Sequence, residues 1–317
     1  MARGDRVRPS DMRDHLESLF ADAHVTDGLF GPTSMVWRVG REASILLGGG
    51  RAALLQLAHP YIAHAIDDHS AVLADIQGRF QRTMSSMFAL TFGDRAEAMR
   101  LARHIYEIHQ RIGGEIPVES GAHRAGARYS ALDRSAMYWV AATIWDTSIL
   151  LYEQLFGPLS LPEKEQYYAE TKTFCRLFGL SDDMMPKDWS GFRRYFDDMV
   201  RSSTLHVGET ARRLGHQVLA PTRRAAMPMY SVINALTAGL MPEGLRDAYD
   251  IPYSRRHRLL FDASMVVARR GVPALPDGVR YCPPYLTARR RISGQAGDNL
   301  VATSWKRLVL ELLRQRP

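Results

Sequence analysis

The sequence predicts an all-α fold organised as one large domain. Three observations carry this reading: apolar residues recur at three- and four-residue intervals along almost the whole chain, alternating strand-like runs are scarce, and no Ser/Gly/Pro-rich linker divides the 317 residues. A hydrophobic share of 46% is ordinary for a folded chain and sufficient for a sizeable interior.

Taken in order, a first helix is expected over 10–24, then the turn-rich "TDGLFGPTS" and an apolar segment at 37–47. The glycines at 48–50 lack the lysine and the preceding strand of a phosphate-cradling loop, so they read as a hinge or a close approach of helices. Helices follow over 51–67, 71–91, 94–113, 131–156 and 161–178, the last announced by a capping box of Ser160 and Glu163. Further helices are expected over 188–202, 204–219, 227–238, 254–270 and 299–315, with proline-rich loops at 272–284. No internal repeat or low-complexity tract is visible.

Charge and composition exclude several classes. The net charge of +7 comes almost wholly from arginine, since Lys164, Lys172, Lys187 and Lys306 are the only lysines. The basic runs "SRRHR", "VARRG" and "TARRRISG" are short, scattered and poor in aromatic neighbours, which reads as solvated surface and predicts no nucleic-acid partner. No apolar run approaches the ~18 residues of a membrane span, and "MARGDRVRPSDMRDH" has no secretory apolar core. A cytoplasmic protein is expected, with a homo-oligomer allowed. Cys175 and Cys282 stand far apart without a CxxC, and read as idle thiols. The chain lacks both the E-x-x-H pairs of a di-iron bundle and the G-x-S-x-G elbow of a hydrolase.

Polar groups enter the apolar pattern at a few places. On a wheel of the 71–91 helix, Val72, Leu73, Ile76, Phe80, Thr83, Met87 and Leu90 form one stripe with Thr83 inside it, Arg79 at its edge and Arg82 further round. On the wheel alone, an arginine with its stem buried and its head in water is the plain reading. In the next helix His104 falls on a charged face, whereas His109 is flanked by Ala98, Ala102, Ile105 and Gly113, small enough for a flat group to lie beside an imidazole. A core histidine is the competing reading there. His59, His64 and His69 are five apart, so the i, i+4 pair of a helical zinc site is missing. His59 precedes Pro60 at an expected kink, and His69 reads as capping the carbonyls of its own helix end.

The ordered succession "WRVGRE", "LLGGGRAALLQLAHP", "DDHS", "GRFQRT", "FGDRAEA", "IYEIHQRIGG", "YSALDRSAMYWVAATIW" and "YEQLFGPLSLPEKEQYYAE" resembles the oxygenase domain shared by MpaB and the latex-clearing rubber oxygenases, from about residue 35 to about residue 260. The resemblance implies a 35–270 oxygenase domain between a leader at 1–34 and an extension at 271–317 whose terminal helix packs on the same domain. It also implies a globin-like bundle enclosing a pocket for haem b, with a histidine as the iron ligand and an Arg-x-x-Lys-Thr segment opposite. By position these correspond to His109 and to Arg79, Arg82 and Thr83. Ala102, Ile105, Gly113 and His59 are the further cofactor-contacting candidates, and His64 joins Arg79 and Thr83 as a catalytic candidate. Arg82 replaces the family's lysine and is a poor iron ligand, and no glutamate occurs between Glu42 and Glu97 where the rubber oxygenases carry a catalytic one. Polyisoprene cleavage is therefore not expected. The implied activity is a haem-dependent oxygenase or peroxygenase that uses dioxygen or peroxide on a hydrophobic organic substrate. The rival is a non-catalytic carrier of haem or an apolar ligand.

Overall fold

The computed structural model describes residues 16–21, 25–69, 76–220 and 227–295, the side chains of 76–81 excepted. Helices dominate, and the described residues contain one two-stranded sheet. In chain order the helices are α1 (Met35–Gly40), α2 (Gly49–Leu57), α3 (Pro60–His69), α4 (Ile76–Phe92) and α5 (Arg95–His109), followed by strands β1 (Gly113–Glu115) and β2 (Arg128–Ser130). Next come α6 (Arg134–Phe156), α7 (Leu161–Arg176), α8 (Trp189–Arg201), α9 (Glu209–Leu219) and α10 (Met227–Leu240). Last are α11 (Glu243–Ala248), α12 (Arg255–Gly271), α13 (Asp277–Arg280) and α14 (Pro283–Ile292).

Helix α6 is the axis of the fold. Its buried residues, among them Tyr138, Trp139, Ala142, Trp145, Ile149 and Leu155, cover every side of the helix, so it is enclosed by neighbours and cannot be an amphipathic surface helix. Helices α1, α2, α7 and α12 pack on it, α9 closes over α2 and α3, and α10 pairs with α12. The 48–50 glycines are a close approach, as expected from their sequence. A Cβ on Gly48 would lie 2.4 Å from Thr147 Cγ2, and one on Gly50 would lie 2.3 Å from Thr237 Oγ1.

That proximity brings a charge into the core. Arg51 is buried, donating from Nε to Leu240 O at 2.8 Å, from Nη1 to Thr147 Oγ1 at 2.5 Å and from Nη2 to Asp146 Oδ2 at 2.6 Å. The other carboxylate oxygen of Asp146 accepts from Arg193 of α8. A second buried carboxylate, Glu42, accepts both Nε and Nη2 of Arg280 at 2.8 and 2.9 Å. This pair clasps the 277–292 segment to the start of the bundle, helped by Cys282 N donating to Arg41 O and by Tyr285 packing on Trp37 and Phe92.

Several expectations are corrected. The 51–67 helix is two, because Pro60 has no N–H to donate and instead opens α3, a position proline favours. The 94–113 helix ends at His109, and Gly113–Gly114 enter a hairpin with register Gly113↔Ser130 and Glu115↔Arg128. Gly114 is required there, since a Cβ would meet the Tyr129 hydroxyl at 2.6 Å. The 204–219 helix begins only at Glu209, α11 was not expected, and α13 and α14 occupy what read as loop and basic run. In that run Arg291 donates to Phe92 O and Thr26 O, a structural tether, whereas the arginines of "SRRHR" and "VARRG" are exposed as expected. The expected helical stretches at 71–75 and 299–315 lie outside the described residues, as do 10–15 and 22–24 of the first helix, of which 16–21 is helical.

Replacing Arg51 with leucine strands Asp146 in the core with only the half-exposed Arg193 for company. Urea unfolding should show a loss of about 3–5 kcal/mol, and a change below about 1 kcal/mol would show that the pair is dispensable.

Candidate functional site

The site is built on the α4–α5 hairpin. Gly93 and Asp94 join the helices, and Asp94 caps α5 by accepting the Glu97 N–H at 2.8 Å. The turn is compressed from outside: Gly28, at φ +75°, lies so near that a Cβ on it would sit 2.1 Å from Gly93 O, and a Cβ on Gly93 would meet Ala89 O at 2.2 Å. With the turn fixed and each helix rising 1.5 Å per residue, His109 and residue 78 both lie about 21 Å from it. The end of α5 is thus level with the "GRFQRT" turn of α4.

His109 is half-buried on the last helical residue of α5, while His104 is exposed on the charged face. Ala98 and Ala102 are fully buried and Ile105 half-buried, so the inner part of the small-residue face is already covered by protein. Gly113 is exposed in β1. Arg82 and Thr83 are exposed. Thr83 was placed inside the apolar stripe, but α4 turns Met84, Met87, Phe88 and Thr91 toward the α1–α6–α7 side, a quarter turn away from Thr83. Residues 72 and 73, which pulled the predicted stripe round, lie outside the described helix. The side chain of Arg79 lies outside the described residues. The cavity faced by Met84 and Phe88 holds about 90 Å³ and has Glu42 in its wall. It is smaller than the ~300 Å³ of an ordinary ligand pocket, so a macrocycle does not fit there. At the His109 end the chemistry of the donors is compatible with one: a single half-buried imidazole, with the backbone of Arg79 near its level on α4 and Arg82 about 6 Å nearer the turn.

A row of aromatic and imidazole side chains runs along α3 beneath the β1–β2 hairpin. His59 is buried at its start, its Nδ1 accepting the Tyr61 N–H at 3.3 Å. The rings of His59 and His123 are 5.3 Å apart, Tyr61 and His123 4.6 Å, and Tyr61 and Tyr129 6.4 Å. The Tyr129 hydroxyl donates to Asp68. At the far end His69 Nε2 meets Gly113 O at 2.9 Å, which corrects the expectation that it caps its own helix and ties α3 to the segment just after His109. His64 is buried on the same helix, one turn from both Tyr61 and Asp68. Burial, then the neighbouring His123, pushes His59 down to about 3. Burial likewise lowers His123, and raises Tyr61 and Tyr129. In each of these four groups burial favours the neutral form. Tyr61, His123 and Tyr129 were missed because they meet only through the hairpin, whose pairing spans fifteen residues and leaves no periodic signal.

The described residues thus form a mostly helical bundle in which a buried imidazole, His59, heads a row of aromatic and imidazole side chains. The family model described as "ER-bound oxygenase mpaB/B'/Rubber oxygenase, catalytic domain" matches residues 37–270, and the chain belongs to that family. Comparison with curated proteins and with solved structures gives no match.

His59 makes the stability of the fold depend on pH. The unfolded chain protonates this imidazole near pH 6.5 and the folded chain only near 3, so between these values the unfolded state binds more protons. Stability is complete above about pH 6.5 and falls as the pH drops, by up to roughly 5 kcal/mol from this group alone. His59→Gln should flatten the slope of unfolding free energy between about pH 4 and 6.5; curves of equal slope for the two proteins would contradict the assignment.

Proposed function

We propose that this oxygenase-family chain is a haem b-dependent oxygenase or peroxygenase that acts on a hydrophobic organic substrate within a globin-like helical enclosure. The observation that supports the reading is the α4–α5 hairpin, in which His109 and Arg79 lie at similar distances from the turn, with Arg82 and Thr83 about one helical turn nearer to it. A porphyrin supplies four nitrogens itself and asks one imidazole of the chain. Family membership supports dioxygen chemistry.

His109 would hold the iron in this reading, with the half-buried Ile105 one turn before it available to contact the macrocycle and the buried Ala102 backing that turn from the core. Gly113 keeps the chain thin where it leaves the site. Arg79 and Arg82 would pair the propionates as charge-assisted donors, and Thr83 would offer a hydroxyl next to Arg82. When bound, haem supplies the iron that activates dioxygen or peroxide. The chain's own part is to hold and move protons: His64, one turn along α3 from Asp68, is the candidate that takes up and releases one, while His59, whose Nδ1 accepts the Tyr61 N–H, stays a neutral buried group at the head of the row. Arg82 stays protonated and so anchors charge instead of binding metal. With that lysine replaced and no glutamate between Glu42 and Glu97, the substrate is a hydrophobic molecule other than polyisoprene.

Purified protein, as isolated or after adding haem, should show a Soret band, and haem at ~1,000 times its Kd should add about 4 kcal/mol of stability. His109→Ala should lose the band's position and regain it with free imidazole. An unchanged spectrum in that variant would remove His109 as the ligand, and a melting temperature indifferent to haem would remove the pocket. Oxygen or peroxide consumption with substrate separates an enzyme from a carrier.

A further inference from the structure

Helix α12 presents its outer side to solvent with an unusual composition. Leu259, Val266 and Val267 are 60%, 48% and 71% exposed, and with the exposed Ala263 they follow i, i+4, i+7, i+8 spacing. Single exposed apolar residues are normal, but three large ones aligned on one helix face form a patch that marks an interaction surface. Arginine is interleaved with them: Arg255, Arg256 and Arg270 are exposed on the same face and make no ion pair among the described residues, while Arg258 and Arg269 flank it. Asp262 is the sole acidic residue of the helix.

The interior behind this helix is also apolar. A cavity of about 370 Å³ lies beneath it, walled by Leu151 and Leu155 of α6, Val232 and Leu236 of α10, and Met265 and Val267 of α12. Val267 belongs to both the cavity wall and the exposed stripe. Residue 134 of α6 adjoins the strand hairpin and residues 151–155 lie at its other end, so this cavity is about 25 Å or more along the helix from the His109 region. The face is therefore separate from the candidate site.

We infer that the outer face of α12 docks on the surface of an anionic lipid bilayer. Leucine and valine side chains reach the boundary of headgroups and acyl chains, while interleaved guanidiniums pair with lipid phosphates, the arrangement by which a basic amphipathic helix lies in a membrane interface. The choice of bilayer over a protein partner follows from charge: the face carries three unpaired arginines against one aspartate, on a chain of net charge +7. Among the described residues no helix is long and apolar enough to cross a membrane, so the contact is peripheral.

Flotation of the full chain with phosphatidylcholine vesicles containing about 30% phosphatidylglycerol tests this. Binding should exceed that to pure phosphatidylcholine by roughly tenfold or more and fall when salt rises from about 0.1 to about 0.5 M. The double variant Leu259→Glu/Val266→Glu and the triple variant Arg255→Gln/Arg256→Gln/Arg270→Gln should each lose about tenfold in binding with an unchanged melting temperature. Equal binding to both vesicle types, or variants that bind like the parent, overturns the inference. So does a dimer in light scattering that the Leu259→Glu/Val266→Glu variant dissolves, which would assign the face to a second copy of the chain.

Discussion

The constraint on which the rest depends is the closed turn at Gly93–Asp94. Backbone meets backbone there: Gly28 crosses over the Gly93 carbonyl at a distance no side chain would permit. A hairpin held so tightly at one end has a fixed register at the other, and the register alone determines what lies beside His109. Two unrelated stretches of sequence, one ending in histidine and one rich in arginine, become neighbours because a glycine some sixty residues upstream leaves room for the turn.

Two ways of housing polar groups coexist around that hairpin, and simple magnitudes explain the division. An imidazole can shed its proton at small cost, so burial favours the neutral form of His59 and of the half-buried His123. A guanidinium cannot. Arg51 therefore carries its countercharge with it, and Asp146 offsets the pull of burial on its proton. This second arrangement fixes the helices α2, α6 and α8 relative to one another.

Much of the helical order was legible in the sequence because it is written locally. The Ser160–Glu163 box fixes the start of α7, Asp188 and Asp133 cap α8 and α6, and apolar spacing outlines α10 and α12. Pro60 signalled a kink, but its consequence, a new helix, depends on capping that spacing does not reveal. What stayed hidden is non-local. The hairpin of β1 and β2 is three residues per strand, too short for an alternating pattern, and the row of His59, Tyr61, His123 and Tyr129 exists only when that hairpin folds over α3. The buried Ala98–Ala102 face shows the limit of the wheel: it identifies a small-residue surface without revealing what covers it. In the candidate site, His109 was named from its flanking residues and from a family resemblance that the match over 37–270 bears out; its level with α4 required the turn.

The family match accounts for the bundle up to residue 270, while the clasp of Arg280 on Glu42 shows that the following segment completes the same packing. The central claim is that the α4–α5 register delivers one imidazole and the arginine turn to a common cofactor. A crystal structure of the protein grown with haem tests it most directly. The account predicts iron bonded to a ring nitrogen of His109 with the propionates at Arg79 and Arg82; iron held by any other side chain, or His109 turned to bulk water with the haem elsewhere, would contradict it.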